Sequence, residues 1–224
     1  MTRGGGPLEP VALEGQFVRL EPMSLGHHAG LSAVGLDPEI WRYTLGVVKT
    51  PEEMRAYMDD ALKLQQSGTT LPFVTIERSS GRVVGSTRFG NYDPANRRIE
   101  IGWTWIAPPW QRTAINTEAK YLMLSHAFER LGCVRVELKT DVLNTPSRKA
   151  MLRIGAKEEG VLRKHSLVWN GRYRDSIYYS ILDDEWPGVK QELEKMLTAR
   201  MSPRATRGCS GSGPRRSCPK SICL

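Results

Sequence analysis

The chain has 224 residues and a mass of 25.2 kDa, long for one domain and short for two, so a single domain with decorated ends is expected. Its 40% hydrophobic and 25% charged content excludes a disordered chain and a coiled coil, and no stretch approaches the ~18 apolar residues of a membrane span. The net charge of +8 divides unevenly: residues 201–224 carry Arg204, Arg207, Arg215, Arg216 and Lys220 with no acid, which leaves +3 for residues 1–200.

In chain order, residues 1–12 are rich in Gly and Pro and are expected to be flexible. Their start, MTRGGGPLEP, lacks the apolar run of a secretory signal. Gln16–Glu21 reads as a short strand, and His27–Leu36 and Pro51–Gln66 as helices. Pro51 followed by Glu52 and Glu53 is a helix-start signal. Leu71–Glu77 and Arg82–Phe89 form a hairpin around Ser79-Ser80-Gly81, and Arg98–Ile106 is the next strand. A helix from Ala114 to Leu131 is apolar around most of its circumference, so it is buried on more than one side. Gly132 ends it. Val134–Thr140 is a strand and Thr145–Ile154 a helix. Lys157–Trp169 and Tyr173–Leu182 pair around Asn170-Gly171, and Asp184–Leu197 is a closing helix. This order predicts an α/β (α+β) fold with a mixed central sheet and helices on both faces. The strands at 98–106 and 134–140 are joined by a crossover helix and should run parallel. Residues 201–224 hold little apolar content and are expected to be a disordered basic tail.

Cys133 is the only cysteine of residues 1–200. It follows Gly132 at a turn and is expected to be a small packed residue in a reducing, cytoplasmic setting. No C-x-x-C pair and no His at ligand spacing accompanies it, so no metal is expected. His27, His28, His126 and His165 are scattered and read as surface or satisfied core residues.

The chemistry concentrates where the strand ending at Trp105-Ile106 turns through Ala107-Pro108-Pro109-Trp110 into the long helix. A helix start offers unpaired N–H groups and a positive dipole end, both favouring an anion. Arg112 adds charge, and Thr113, Asn116 and Thr117 add donors, although an ordinary capped helix would also look like this. Gln111-Arg112-Thr113-Ala114-Ile115-Asn116 resembles motif A of the GNAT acetyltransferases, the Gln/Arg-x-x-Gly-x-Gly/Ala cradle for the pyrophosphate of acetyl-CoA. Both glycine positions differ, being Ala114 and Asn116. A second stretch, from Thr140 through Asn144, Ser147 and Met151 to Gly155-Ala156, is similar to motif B. Glu158–Arg163 and Gly171–Asp175 are similar to the RimJ/RimL type, whose members acetylate protein N-termini or small amines.

The resemblance implies a GNAT domain over residues 13–200. It implies acetyl-CoA as co-substrate and direct transfer to a primary amine, on a peptide N-terminus or a small molecule. Trp105, Ile106, Gln111, Arg112, Thr113, Ala114, Ile115, Asn116 and Thr117 would line the coenzyme. Asn144 would bond the pantetheine amides, with Ser147 near the thioester and Arg148 or Arg112 at the 3′-phosphate. Asn144 and Ser147 are equally explained as the cap and first turn of a helix. Glu100, between Ile99 and Ile101, is the candidate base, or else a cross-strand partner of Arg97 or Arg98. Met151 stands where many members carry a tyrosine that protonates the leaving thiolate, which leaves Ser147 for that role.

Trp41, Tyr43, Trp103, Trp105, Trp169 and Tyr173 supply either acceptor surface or core and hairpin packing. Arg172, Arg174 and Asp175 supply either hairpin ion pairs or acceptor selection. Three rival readings stand beside the transferase. They are a non-catalytic coenzyme A binder, an acetyltransferase of small amines, and nonspecific nucleic-acid attraction through the tail. A homodimer is compatible with the family.

Overall fold

The computed structural model describes residues 6–201. The basic tail, with the disorder expected of it, lies outside the described residues, as do residues 1–5. Eight strands form one sheet: β1 (Leu13–Glu14), β2 (Val18–Pro22), β3 (Leu71–Glu77), β4 (Val83–Asp93), β5 (Arg98–Ile106), β6 (Arg135–Asp141), β7 (Lys157–Leu167) and β8 (Tyr173–Leu182). Their spatial order is β1-β2-β3-β4-β5-β6-β8-β7. Every neighbouring pair is antiparallel except β5 and β6, which run parallel as the crossover rule requires.

Helices α1 (His28–Gly35) and α2 (Pro51–Gln65) cover one face of the sheet, and α3 (Ile115–Ser125) and α5 (Trp186–Met201) cover the other. The α4 helix (Thr145–Arg153) follows β6. Alternation along each strand feeds two cores. Leu20, Phe73, Phe89, Ile99, Ile101, Val136, Leu138 and Tyr179 meet Ile115, Met123 and Leu124 of α3 in the larger one. Val74, Ile76 and Trp105 meet Leu31, Trp41, Met54 and Met58 in the smaller one. The α2 start behaves as its sequence suggests, because Thr50 Oγ1 accepts the Glu53 N–H at 3.2 Å ahead of Pro51.

Three features depart from the sequence reading. The segment expected to be flexible is pinned at Leu8, which is buried and donates its N–H to the Gly68 carbonyl at 2.8 Å. The long helix is not α-helical throughout, for α3 passes into a π turn at His126–Arg130. There the Leu131 N–H bonds the carbonyl five residues back, at 3.0 Å. Beyond that turn Gly132 takes a φ of 66°, the left-handed conformation that ends a helix. The third departure is β1, which pairs with β2 at Leu13↔Leu20 and Glu14↔Arg19.

Glu118 explains how this short edge is held. Its carboxylate is buried on α3 and accepts the N–H groups of Gln16, Phe17 and Val18 at 2.8, 2.6 and 2.8 Å. Gly15 is required beside it, because a Cβ there would stand 2.3 Å from the Glu118 carboxyl carbon.

Cys133 is buried, and burial pushes its thiol up to about 11, so it packs as an apolar residue. Among the described residues no helix is long and apolar enough to cross a membrane, and no cluster of three His, Cys, Asp or Glu could hold a metal ion.

Candidate active site at the parting of two parallel strands

The parallel pair is joined only over Arg98↔Arg135, Ile99↔Val136 and Glu100↔Glu137. Beyond Glu100, β5 continues to Ile106 bonded only to β4, and β6 continues to Asp141 bonded only to β8. Two strand edges therefore face each other unpaired in the middle of the sheet. Backbone polar groups demand partners, so this opening suits an extended ligand with its own amides.

A second irregularity lies on the other side of β5. Its register with β4 shifts between Ser86↔Trp105 and Arg88↔Gly102, and Trp103 takes a φ of 49° there. Such a bulge re-aims side chains. Beyond it, Thr104 bonds Lys120 of α3, while Trp105 joins the core under α1 and α2.

The opening leads to the start of α3. Arg112 has a φ of 61°, which turns the loop sharply. Gln111 closes that loop by donating Nε2 to the Ile106 carbonyl at 2.9 Å. Thr113 Oγ1 donates to the Trp110 carbonyl at 2.7 Å and accepts the Ile115 N–H at 3.3 Å. The Glu118 N–H goes to the Ala114 carbonyl at 2.9 Å. The N–H groups of Asn116 and Thr117 find no acceptor among the described residues. Asn116 Oδ1 is also enclosed without a partner. An orphaned amide beside two orphaned N–H groups is a feature of a ligand cradle rather than of a closed helix cap. Ala114 is right-handed, with φ −70° and ψ −21°, so a methyl group is accommodated where glycine was expected. Thr117 Oγ1 accepts from Arg153 Nη2 of α4 at 3.0 Å, which brings that guanidinium to the first turn of α3.

On β6's far end, Asn144 caps α4, with Oδ1 accepting the Ser147 N–H at 3.1 Å. Its Nδ2 and the Ser147 hydroxyl make no hydrogen bond with any described residue. Arg148 turns inward instead of toward α3, bonding the Tyr179 hydroxyl and the Val142 carbonyl, each at 3.3 Å. Of the two arginines on this helix, Arg153 is therefore the one beside the orphaned N–H groups.

Glu100 lies on the sheet face opposite α3 and is only 3% exposed. Its Oε2 accepts from Lys139 Nζ at 2.9 Å and Asn91 Nδ2 at 2.8 Å, and Oε1 accepts nothing from the described residues. The carboxylate has room because residue 102 is glycine, where a Cβ would stand 2.8 Å from Oε1. The expected partners Arg97 and Arg98 are engaged elsewhere: Arg97 with the Gly132 carbonyl, and Arg98 with Asp93 and Glu137. Around Glu100, Lys139 lies over the Trp103 and Tyr178 rings, and Arg88 over Tyr57 and Trp103. The Asn170-Gly171 hairpin forms as expected, with Gly171 at φ 81°. Trp169 Nε1 donates to the Trp41 carbonyl at 3.2 Å, so the hairpin reaches across to the α1–α2 connection. Trp41 and Trp105 are core, whereas Trp103, Trp169 and Tyr173 are exposed.

This geometry is shared with known proteins. Residues 18–157 match the Acetyltransferase (GNAT) domain family. The chain belongs to the GNAT family. Its members form a class of acyl-CoA-dependent transferases. A curated relative from Bacillus subtilis (strain 168), named "Putative ribosomal N-acetyltransferase YdaF", is 40% identical over 110 residues. The match spans 49% of this chain and 59% of that relative's length. A GCN5-related N-acetyltransferase from Brucella melitensis superposes with a TM-score of 0.78 at 34% identity, covering 86% of this chain and 89% of that one. RimJ of Mycobacterium smegmatis, solved with CoA-disulfide, superposes at 0.73 with 25% identity, covering 86% and 97%. The expected GNAT fold and its RimJ-like character are thus borne out.

Proposed function

We propose that residues 13–200 form an N-acetyltransferase domain that transfers the acetyl group of acetyl-CoA directly to a primary amine. The observation that carries this reading is the opening between β5 and β6, which ends at two unpartnered N–H groups on α3. The pantetheine arm would lie against the β5 edge at Trp105 and Ile106, with Asn144 Nδ2 on its opposite side. The N–H groups of Asn116 and Thr117 would meet the pyrophosphate, assisted by Arg112 and by the loop that Gln111, Thr113, Ala114 and Ile115 shape. Turned over, the Asn116 amide would donate Nδ2 to a phosphate oxygen. Arg153 is a better placed cation than Arg148 for the phosphates.

Direct transfer needs no enzyme nucleophile. The protein must hold the amine neutral and against the thioester carbonyl. Glu100 Oε1, without a partner among the described residues, would take the amine proton directly or through one water, while Lys139 and Asn91 fix the carboxylate. The Ser147 hydroxyl, at the start of α4, would donate to the departing thiolate. The name of the relative YdaF, a putative ribosomal N-acetyltransferase, favours a ribosomal acceptor, and the RimJ/RimL resemblance of the sequence favours a peptide N-terminus. The expected setting is cytoplasmic.

Release of coenzyme A thiol from acetyl-CoA in the presence of N-terminal peptides and small amines tests this reading. Glu100→Gln should lower kcat by about 100-fold or more while leaving acetyl-CoA affinity unchanged. An unaltered kcat would remove Glu100 from the reaction.

A further inference from the structure

Arginine is seldom buried without a partner, because an unpaired buried charge loses its hydration and gains nothing in return. The sheet face around Glu100 holds two buried arginines that lack an anionic partner among the described residues. Arg88 of β4 is 3% exposed and Arg174 of β8 is 8% exposed. Neither guanidinium makes a hydrogen bond or ion pair with any described residue, and the Nε of each is wholly enclosed.

Register places both on the same face as Glu100. Gly90 pairs with Glu100, and Arg88 is two residues from Gly90. Glu100 pairs with Glu137, and Asp141 of the same β6 face pairs with Ser176, two residues from Arg174. Arg88 stacks on Tyr57 at 4.7 Å and on Trp103 at 5.7 Å. Trp103 in turn has Lys139 over it at 5.9 Å, and Lys139 also faces Tyr178. Arg174 feels the charges of Asp141 and Glu100, and burial works against its charged form.

Each of the two buried carboxylates nearby already carries a cation of its own. Glu100 is held by Lys139 and Asn91, and Asp141 is paired with Arg172. Beside these two anions stand four cations, Arg88, Lys139, Arg172 and Arg174, while Glu137 further along the face is engaged by Arg98 and Arg135. The face keeps a surplus of two positive charges in the place where an amine, itself a cation before it reacts, must arrive. A purely cationic acceptor would be repelled from it. An acceptor that brings a carboxylate would complete it, since a guanidinium fork matches a carboxylate in both geometry and charge.

We infer that the acceptor carries a carboxylate close to its amine and that Arg88 and Arg174 bind it. This rests on the transferase reading above and deepens it to a substrate class. The carboxylate can come from an acidic residue at or next to a peptide N-terminus, or from a free amino acid.

Matched acceptors test the inference. Peptides beginning with Asp or Glu are compared with the same peptides beginning with Asn or Gln, and free aspartate and glutamate with their diamides. Thiol release gives kcat/KM. The carboxylate acceptors should exceed their amides by about tenfold or more, and whichever arm shows that ratio identifies the source. Arg88→Met and Arg174→Met should each reduce the ratio toward one while leaving acetyl-CoA affinity as it was. Equal rates for carboxylate and amide acceptors would overturn the inference and leave the transferase standing. Thermal stabilisation by the same peptides in the presence of coenzyme A is read separately. Carboxylate-dependent stabilisation without thiol release with any amine would support the arginine site and overturn the transferase.

Discussion

Replacing Lys120 by methionine should make the protein's stability less dependent on pH. Lys120 projects from α3 to the underside of β5 and is 6% exposed. Its Nζ donates to Thr104 Oγ1 at 2.7 Å and reaches Thr87 Oγ1 at 3.4 Å, and no carboxylate among the described residues pairs with it. Desolvation lowers its pKa from 10.5 to about 7. Between those two values the unfolded chain holds a proton that the folded chain has released. Stability therefore rises with pH across this window, by up to about 1.4 kcal/mol per unit. From pH 7 to pH 9 the gain from this one residue is about 2 kcal/mol. Methionine has a similar reach and no charge, and Thr87 and Thr104 keep their mutual 2.7 Å hydrogen bond, so no polar atom is orphaned. Urea unfolding at several pH values measures the difference between wild type and Lys120→Met. The variant should be the more stable at pH 7, and its advantage should shrink by about 2 kcal/mol by pH 9. A difference that stays constant with pH would show that Lys120 is not stripped of its hydration in the way the burial implies.

Other positions give equally direct checks. Glu118→Ala would orphan three N–H groups at the β1–β2 turn, a loss of about 3–5 kcal/mol in urea unfolding. Glu118→Gln, which keeps one acceptor oxygen, should fall between the two. Asp141→Asn would break a pair whose carboxylate is fully buried and should cost about 3–5 kcal/mol, read as a lowered Tm. Gly102→Ala would push the Glu100 carboxylate from its place and should lower kcat with little change in acetyl-CoA affinity, measured by steady-state kinetics and calorimetry. Cys133 should stay unmodified by an alkylating reagent at pH 8 in the folded protein and react once unfolded, as peptide mass spectrometry would report.

Much of the fold was legible because its signals are local. Thr50 with Pro51, Gly132 and Asn170-Gly171 each mark a boundary through their own backbone chemistry. The parallel strands followed from a connection rule rather than from any residue. The two motif stretches could be found because helix starts advertise themselves through Thr113, Asn116, Asn144 and Ser147. What escaped depends on distant partners. Glu118 looks like any acid in a first helical turn, and only the fold brings the backbone of Gln16–Val18 to it. Arg88 has no local signal in its strand, and Arg174 could be read only as a hairpin ion pair or an acceptor selector, because the burial of both arises from neighbours on other strands. The partner of Glu100 is Lys139, on the parallel neighbour. That pairing was accessible in principle, since both residues fall in strands the crossover rule makes adjacent. Arg148 and Arg153 are both basic and on one short helix, so sequence alone could not say which turns toward α3. The π turn at His126–Arg130 leaves no mark in the apolar pattern of its helix.

The most direct test of the account is a calorimetric titration of the protein with acetyl-CoA, with 3′-dephospho-coenzyme A alongside. Saturable binding with one equivalent is predicted, through the parted strands and the free N–H groups of Asn116 and Thr117. The dephospho form should bind more weakly if Arg153 or Arg112 meets the 3′-phosphate. No saturation at millimolar acetyl-CoA would mean that Ala114 and Asn116 close the cradle, and the transferase activity could not be assigned to this chain.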